Sequence, residues 1–152
     1  MSDVSSSVLE GDLCIARLRA RRTPSVFVIS GPSGVGKDSV LDRLRERESD
    51  SHFAITATTR TVRPGETHGV HYYFLTATTF EQWVTEGEFL EHATVYGNRY
   101  GVPRTPVREA LERGQDVFIK IDVQGAASVR ALIPESIGIF LAPESMDSLR
   151  LR

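Results

Sequence analysis

The chain has 152 residues, which is enough for one domain with a hydrophobic core and too few for two ordinary domains. Its 40% hydrophobic and 25% charged residues are typical of a globular protein and exclude a disordered or fibrous one. The net charge of −2 gives no electrostatic basis for binding nucleic acid. Because Cys14 is the single cysteine, an intramolecular disulfide is excluded, and the four histidines have no metal-ligand spacing with each other or with it.

Residues 1–24 predict a polar N-terminal extension with solvated arginines, in which Cys14 is a small, partly buried side chain. No apolar run in the sequence reaches the length of a membrane span. The N-terminus lacks the order of basic, apolar and small residues that a signal peptide shows. We therefore expect a cytoplasmic protein with neither a membrane nor a nucleic acid as partner.

Short apolar runs alternate with amphipathic stretches along the rest of the chain, which predicts an α/β fold. Residues 25–30 are apolar between two serines and predict a buried parallel strand. Residues 38–48 predict a helix, because Val40, Leu41 and Leu44 lie on one face with charges opposite.

The sequence GPSGVGK joins this strand to this helix and is typical of a phosphate-binding loop, or P-loop. Gly31, Gly34 and Gly36 allow a tight turn whose N–H groups converge on phosphate oxygens, and the helix dipole adds to their effect. Lys37 can place its charge between the outer phosphates. We therefore predict a nucleoside triphosphate site; a glycine-rich turn without a ligand is the disfavoured alternative. Asp38 stands where Ser or Thr usually offers magnesium a hydroxyl.

The central part of the chain predicts short strands around a long loop. Residues 53–59 are rich in β-branched and small residues, and TRTVRPGETHG then reads as an extended, turning loop. Residues 71–75 predict a short aromatic strand. Thr78, with Glu81 three residues later, predicts the start of a helix that runs through Thr85.

The C-terminal half predicts, in order, two strands joined near Gly97, a helix from Thr105 that Gly114 closes, a strand over 116–122, a helix over 124–132, a strand over 137–141 and an amphipathic segment from Ser145. The span 59–102 is richer in short strands than its flanks. We therefore predict a small β-rich insertion on a parallel-sheet core formed by residues 25–58 and 103–152.

A second cluster of charged residues lies in ATTRTVRPGE and in the following GVHYYF. Arg60 and Arg63 stand three apart on the loop, with Glu66 and Tyr72 close behind. Guanidinium groups present forked donors that suit a phosphate group. Two loop arginines alone are more often solvated surface, but together with a P-loop they indicate a second phosphate-bearing substrate.

The chain resembles a guanylate kinase in five stretches in the family's order: SGPSGVGKD, ATTRTVRPGE, GVHYYF, FLEHATVYGNRYG and IDVQGA. The resemblance extends over residues 25–152. It implies a P-loop NTPase fold with a GMP-binding insertion, and transfer of the γ-phosphoryl group of ATP to GMP, and to dGMP, with Mg²⁺. The alternative is a guanylate-kinase-like binding module that binds peptide without catalysis, and a kinase for another nucleoside monophosphate is a third option. The resemblance leaves the assembly open between a monomer and a homodimer.

The resemblance also implies roles for individual residues. ATP would be bound by Gly31, Pro32, Ser33, Gly34, Val35, Gly36, Lys37, Asp38 and Ser39. GMP would be bound by Thr56, Arg60, Arg63, Glu66, Tyr72, Glu91, Tyr100, Val102 and Asp122. Lys37 and Arg60 would stabilise charge on the transferred group, and Glu91 would select guanine by accepting from its N1–H and 2-amino groups.

Four features depart from the family pattern. Asp38 replaces the P-loop hydroxyl, so that either its carboxylate or Ser39 would ligate magnesium. Val102 stands where many relatives carry Ser or Thr. Lys120 stands where relatives often carry an acidic residue near the metal, and it would either act on phosphate or point elsewhere. The family sequence continues beyond the position of Arg152 into an arginine-bearing lid, so a chain that ends there is expected to bind nucleotides and turn them over poorly.

Overall fold

The computed structural model describes residues 23–143. The predicted N-terminal extension up to residue 22, Cys14 with it, and the amphipathic segment from Ser145 lie outside the described residues. Within the described part, no helix has both the length and the apolar character needed to cross a membrane.

Residues 23–143 form eight strands and four helices. In chain order these are β1 (Val26–Ser30), α1 (Lys37–Arg47), β2 (His52–Phe53), β3 (Ala57–Thr58), β4 (Tyr73–Phe74), α2 (Ala77–Glu86), β5 (Phe89–Val95), β6 (Asn98–Pro103), α3 (Arg104–Glu112), β7 (Val117–Lys120), α4 (Val123–Leu132) and β8 (Ile137–Phe140).

The first sheet is parallel, with the strand order β2-β7-β1-β8. Its central strands are apolar on both faces, and Ile29, Val117 and Ile119 are fully buried between the sheet and its helices. The rings of Phe27 and Phe53 stack on either side of the Phe118 ring, with centroids 4.9 and 5.0 Å away. This helix-flanked parallel sheet confirms the predicted α/β class.

The second sheet has the order β4-β3-β6-β5 and is mainly antiparallel. Its strands extend from Ala57 to Pro103, whereas the predicted insertion covers 59–102. Helix α2 packs on this sheet through Phe80, which is fully buried against Phe89 and partly buried Trp83. The second sheet therefore has a hydrophobic cluster of its own around Phe80, while its Val102 belongs to the cluster of the first sheet. The long arginine-bearing loop lies on the second sheet.

Residues 53–59, rich in β-branched and small residues, do not form one continuous strand. The chain leaves the first sheet after β2 and enters the second at β3, because Ala54 N–H still donates to the Phe118 carbonyl while the Thr56 carbonyl already accepts from Tyr73 N–H. Alternating β-branched and small residues cannot reveal a change of partner strand, which long-range pairing decides.

The return connection between the sheets is shorter still. Strand β6 ends at Pro103 and helix α3 begins at the next residue. Ala54 and Ile55 of the outgoing segment line one small cavity together with Pro103 and Pro106 of the return segment. The two chain crossings between the sheets are therefore neighbours in space.

Helix starts differ from the predictions by one to two residues. Helix α2 is capped by Thr76, whose hydroxyl oxygen accepts from Thr79 N–H at 3.1 Å, so the predicted cap at Thr78 is wrong. Thr76 has the extended backbone that a cap requires, and several threonines in a row leave the sequence ambiguous. Strand β7 ends at Lys120 rather than at Asp122, because Asp122 caps helix α4.

Candidate functional site

The glycine-rich loop between β1 and α1 has the backbone geometry of a P-loop. Gly31 has φ 148°, and a Cβ atom there would lie 2.4 Å from the Leu141 carbonyl oxygen, so no other residue fits. Gly36 precedes α1 with φ 102° and makes no side-chain capping bond. The N–H groups of the first turn of α1 are therefore left for an anion, whereas side chains cap α2 and α4.

Lys37 is held against its own loop. Its Nζ donates to the carbonyl oxygens of Gly31 and Pro32 at 2.7 and 2.8 Å. Burial, and then the nearby ammonium group of Lys120, lower the pKa of Lys37. The ammonium group is thus placed beside the uncapped helix start before any nucleotide binds.

Arg60 and Glu66 form a two-point ion pair on the loop of the second sheet. Arg60 Nη1 and Nη2 donate to Glu66 Oε2 and Oε1 at 3.1 and 2.7 Å, and Glu66 Oε2 also accepts from Arg63 N–H at 2.8 Å. The hydrogen bonds with Glu66 raise the pKa of Arg60, and those with Arg60 lower the pKa of Glu66. Glu66 therefore fixes both the Arg60 side chain and the backbone at Arg63.

Aromatic rings complete this second surface. The Arg60 guanidinium lies over the rings of Tyr72 and Phe74, 5.3 and 5.7 Å from their centroids. The Tyr72 and Tyr100 rings meet edge to face at 6.3 Å. Arg63 remains exposed at the mouth of the loop.

One cleft of about 890 Å³ separates the two surfaces. We call its first side the P-loop wall, formed by Ser33, Gly34, Gly36, Lys37, Asp38, Ser39, Asp42 and Arg45. We call its second side the arginine wall, formed by Arg60, Arg63, Glu66, Gly69, Val70, His71, Tyr72 and Tyr100. Most of the predicted phosphate-contacting residues thus meet at one cleft, although Gly31, Pro32 and Val35 do not line it.

Sequence reasoning missed several lining residues. Asp42 and Arg45 follow Asp38 by four and seven residues on α1, a spacing that places them on the same helix face. That periodicity was a usable signal. Val70 and His71 belong to an irregular loop and carried no such signal.

Lys120 connects the two walls. Its Nζ donates to Asp38 Oδ1 at 2.5 Å and to the Tyr72 hydroxyl at 3.0 Å. Burial opposes the charged form, but Tyr72 and Asp38 together raise the pKa of Lys120. Of the two possibilities for Lys120, pointing elsewhere is therefore wrong, and two departures from the family pattern, Asp38 and Lys120, are bonded to each other.

The fit of a magnesium ion rests on Asp38. Among residues 23–143, no group of three or more His, Cys, Asp or Glu side chains is arranged to hold a metal. Magnesium bound with a nucleotide needs only one or two carboxylate oxygens, since phosphates and water supply the rest. The Asp38 side chain is 79% exposed, and Lys120 pairs with its Oδ1 atom. This donor set fits a magnesium ion that arrives with phosphates.

Glu91 lies on β5 and does not line the cleft. It is 6% exposed, and its Oε2 atom has no hydrogen-bond partner within the described residues. Burial, and then the charge of Asp122, raise the pKa of Glu91 to about 7. A Cβ atom on Gly125 would lie 2.8 Å from Glu91 Oε2, so the glycine makes room for the carboxylate. A buried carboxylate without a donor indicates a place for a ligand.

Two of the other predicted base contacts, Val102 and Asp122, lie beside Glu91. Val102 pairs with Glu91 across β5 and β6 and is fully buried, while Thr56 is 5% exposed. Asp122 accepts from Gly125 N–H at 3.0 Å and from Gln124 N–H at 3.4 Å. We call Glu91, Val102, Asp122 and Gly125 the Glu91 pocket. The capping role of Asp122 was missed, although Asp just before a helical stretch is a usual signal for it.

Comparison with known proteins decides the family. A sequence model described as guanylate kinase matches residues 23–152, which is most of the chain. The chain belongs to the guanylate kinase family. The resemblance stated from the five sequence stretches is thereby confirmed.

Individual relatives agree with this result. The chain is 50% identical to a guanylate kinase of Oceanobacillus iheyensis over 127 residues, which are 84% of this chain and 62% of that protein. It is 48% identical to one of Carboxydothermus hydrogenoformans over 127 residues, again 84% of this chain and 62% of that protein. A crystal structure of guanylate kinase from Anaplasma phagocytophilum superposes with a TM-score of 0.77 at 35% identity, covering 85% of this chain and 65% of that one. The chain thus spans less than two thirds of the length of these relatives.

Proposed function

We propose that the protein transfers the γ-phosphoryl group of ATP to GMP, giving ADP and GDP. The observation that carries this proposal is the single cleft with a phosphate-binding surface on each side. The P-loop wall offers an uncapped helix start and Lys37, and the arginine wall offers Arg60 and Arg63. Two phosphate-bearing substrates can therefore face each other across one space.

The P-loop wall is the proposed site of ATP. Backbone N–H groups of the loop and the first turn of α1 would hold the phosphates, with Lys37 as their mobile cation. Asp38 would hold the magnesium ion, which supplies charge neutralisation when it is bound with ATP. Ser39 is the second candidate for that contact, since it is exposed on the same turn.

The arginine wall is the proposed site of the GMP phosphate, and the second sheet is the proposed GMP-binding subdomain. Arg63 is exposed and free of the Arg60–Glu66 ion pair, so its guanidinium is available to a phosphate. Tyr72 and Tyr100 offer hydroxyl groups beside Arg60. The Arg60–Glu66 pair holds this surface in place before the substrate arrives.

The Glu91 pocket is the proposed site of guanine. An ionised Glu91 can accept from guanine N1–H and the 2-amino group, whereas adenine lacks this pair of donors. We propose dGMP as a second acceptor because the proposed contacts are made to phosphate and base. Supply of GDP for nucleotide salvage, and a cytoplasmic site of action, remain predictions of the sequence.

The chemistry asks little covalent work of the protein. Phosphoryl transfer is accelerated mainly by aligning donor and acceptor and by neutralising charge on the group in transfer. Lys37 and Arg60 approach the cleft from opposite walls and would share that charge. Exclusion of water would require the two sheets to close on the nucleotides.

A coupled assay of ADP release with GMP, dGMP, AMP and UMP tests the proposal, together with calorimetric binding of each nucleotide. We expect GMP and dGMP to bind and to react, and AMP and UMP to do neither. Equal turnover of AMP and GMP would overturn the selection by Glu91. No binding of GMP together with binding of a phosphopeptide would instead favour the non-catalytic binding module.

A narrower test compares two arginines. Arg63→Ala is expected to weaken GMP at least about tenfold, the loss of one charge-assisted contact, and to leave ATP binding unchanged. Arg108→Ala removes an exposed arginine on α3, outside the cleft, and serves as the matched control. Equal loss of GMP and ATP in Arg63→Ala would contradict the assignment of the arginine wall.

A further inference from the structure

Lys120 has a position that the proposed ATP and GMP contacts do not explain. It is the last residue of β7 and pairs with Ile29 of β1, the strand that leads into the P-loop. Its side chain therefore leaves the sheet beside that loop. Through Asp38 and Tyr72 it is bonded to both walls of the cleft at once.

The composition of the chain sets this residue apart. Of 18 basic residues only two are lysines, Lys37 and Lys120, and both line the cleft. A lysine ammonium is a compact charge with three rotatable donors, unlike the planar fork of arginine. It can follow phosphate oxygens whose directions change as a group is transferred.

The two partners in the Lys120–Asp38 ion pair also differ in their exposure to solvent. The Lys120 side chain is 16% exposed, whereas that of its partner Asp38 is 79% exposed. An ammonium group that is largely removed from water needs an anion beside it. An exposed carboxylate can exchange this bond for a magnesium ion at little cost, and a phosphate oxygen can then take its place beside Lys120 with a similar charge-assisted hydrogen bond. The pair therefore holds the ammonium group in the cleft before a nucleotide binds.

Lys37 and Lys120 are bonded to different parts of the site. Lys37 is tied to the carbonyl groups of Gly31 and Pro32 inside the loop. Lys120 extends from Asp38 at the start of α1 to Tyr72 on the arginine wall. The Lys120 ammonium group therefore lies between a residue of the P-loop wall and a residue of the arginine wall.

We propose that Lys120 contacts the terminal phosphate of the donor nucleotide, with Asp38 as the anion that holds its place before the nucleotide binds. This assignment rests on the proposed function, since it takes the P-loop wall as the donor side. Lys120 then neutralises charge on the phosphate that faces the acceptor, and its bond to Tyr72 orients it toward that side.

Calorimetric binding of three ligands tests the assignment: a non-hydrolysable ATP analogue, ADP and GMP, each with magnesium. Lys120→Met keeps most of the length of the side chain and removes the charge. It is expected to weaken the ATP analogue about tenfold or more, and ADP and GMP by about threefold or less, because only the analogue has the terminal phosphate. Lys120→Arg should retain most of the affinity, and Arg108→Met controls for the change of net charge.

The outcomes separate the two proposals. Wild-type affinity of Lys120→Met for the ATP analogue overturns the contact, and so does an equal loss of all three ligands with a lower melting temperature, which shows a packing role. Selective loss of the analogue in a protein that never binds GMP overturns the proposed function and leaves the contact in place.

A second measurement needs no variant. The wild-type chain is acetylated with an amine-reactive ester, and the modification of Lys37 and Lys120 is quantified by mass spectrometry. The ATP analogue is expected to protect Lys120 several-fold more than ADP does, while both protect Lys37. Equal protection of Lys120 by the two nucleotides overturns the proposal.

Discussion

Charged side chains are paired on the two walls of the cleft, whereas the Glu91 carboxylate in the Glu91 pocket has an oxygen without a partner in the described part of the chain. On the walls, Lys37 is bonded to loop carbonyl groups, Arg60 to Glu66 and Lys120 to Asp38. In the pocket, Glu91 Oε2 lacks a partner within the described residues. The walls therefore keep their geometry without a ligand, whereas the pocket carries a desolvation cost that only a ligand with suitable donors relieves.

This difference assigns affinity for phosphate to the two walls and selectivity for the base to the Glu91 pocket. Partners on the walls can be exchanged for phosphate oxygens, which every nucleotide carries, so the walls hold phosphates without distinguishing bases. A buried acceptor with a free oxygen rejects a base that brings no donor, because the cost then stays in place. If this comparison holds, changes on the walls affect all bases alike and changes in the pocket affect one base.

The largest effect is expected for Lys37→Met. Loss of the central cation of the P-loop wall should weaken the ATP analogue about 100-fold, as two charge-assisted contacts are removed, and leave GMP binding intact. Calorimetry measures both affinities. Arg43→Met, an exposed change on the same helix and outside the cleft, is the control. A parallel loss of GMP would show that the two walls do not bind separate ligands.

The next effect is expected for Glu91→Gln. The amide cannot accept two donors as a carboxylate does, so GMP should bind about 10- to 100-fold more weakly, with ATP unchanged. Glu88→Gln, at an exposed position three residues earlier, is the matched control. Unchanged GMP affinity in Glu91→Gln would show that the Glu91 pocket does not bind the base.

The wild-type protein and Glu91→Gln are expected to differ in the pH dependence of GMP binding. With a pKa of about 7, Glu91 is mostly protonated at pH 6 and ionised at pH 8. Its contribution should therefore make GMP binding about tenfold weaker at pH 6 than at pH 8. The GMP phosphate titrates in this range too, and Glu91→Gln reports that part alone. Identical pH profiles for the two proteins would contradict the prediction.

A smaller effect concerns stability without nucleotide. The pKa of Glu91 is raised from 4.5 to about 7 by folding, so the folded state binds the extra proton between these values. The contribution of Glu91 to stability is therefore present at low pH and is lost as pH rises toward 8. Thermal melts at pH 5 and pH 8 should show Glu91→Gln gaining several degrees over the wild type at the higher pH only. A constant difference between the two melting temperatures would mean that Glu91 does not titrate in this window.

The smallest effect is expected for Gly125→Ala. The added Cβ would push the Glu91 carboxylate, which should lower GMP affinity about threefold to tenfold, while alanine helix propensity offsets up to about 1 kcal/mol of the strain. Gly138→Ala, where a Cβ meets no atom within 4 Å, is the control. Calorimetry and melts distinguish a moved carboxylate from a destabilised helix.

Local signals made much of the fold predictable. The strand before the P-loop, the loop and helix α1 were located within a residue, because apolar runs, spaced glycines and a helical stripe are all local features. The change of sheet between Phe53 and Ala57 was not predictable, since it depends on which distant strand pairs with each residue. Thr76 and Thr78 are chemically the same, and only the backbone distinguishes the cap.

The candidate site shows the same limit. Lys37, Arg60 and Arg63 could be singled out from the sequence because each belongs to a local motif, and the structure brings them to one cleft. The sequence left Lys120 undecided, because its partner Asp38 is 82 positions away along the chain. In the sequence, Asp38 and Lys120 are two unrelated departures from the family pattern. In the structure they are bonded to each other.

The neighbouring chain crossings have a mechanical consequence. Ala54 and Ile55 on one crossing and Pro103 on the other meet around the same small cavity, so one line passes through both connections. Rotation of the second sheet about that line would stretch neither segment, although it would shift Glu91 relative to Gly125 of α4. Such a hinge rotation would open or narrow the cleft, with each sheet keeping its own strand pairing. Arg60 and Lys37 lie on opposite walls of the cleft, and so a small rotation at this hinge would change the distance between them.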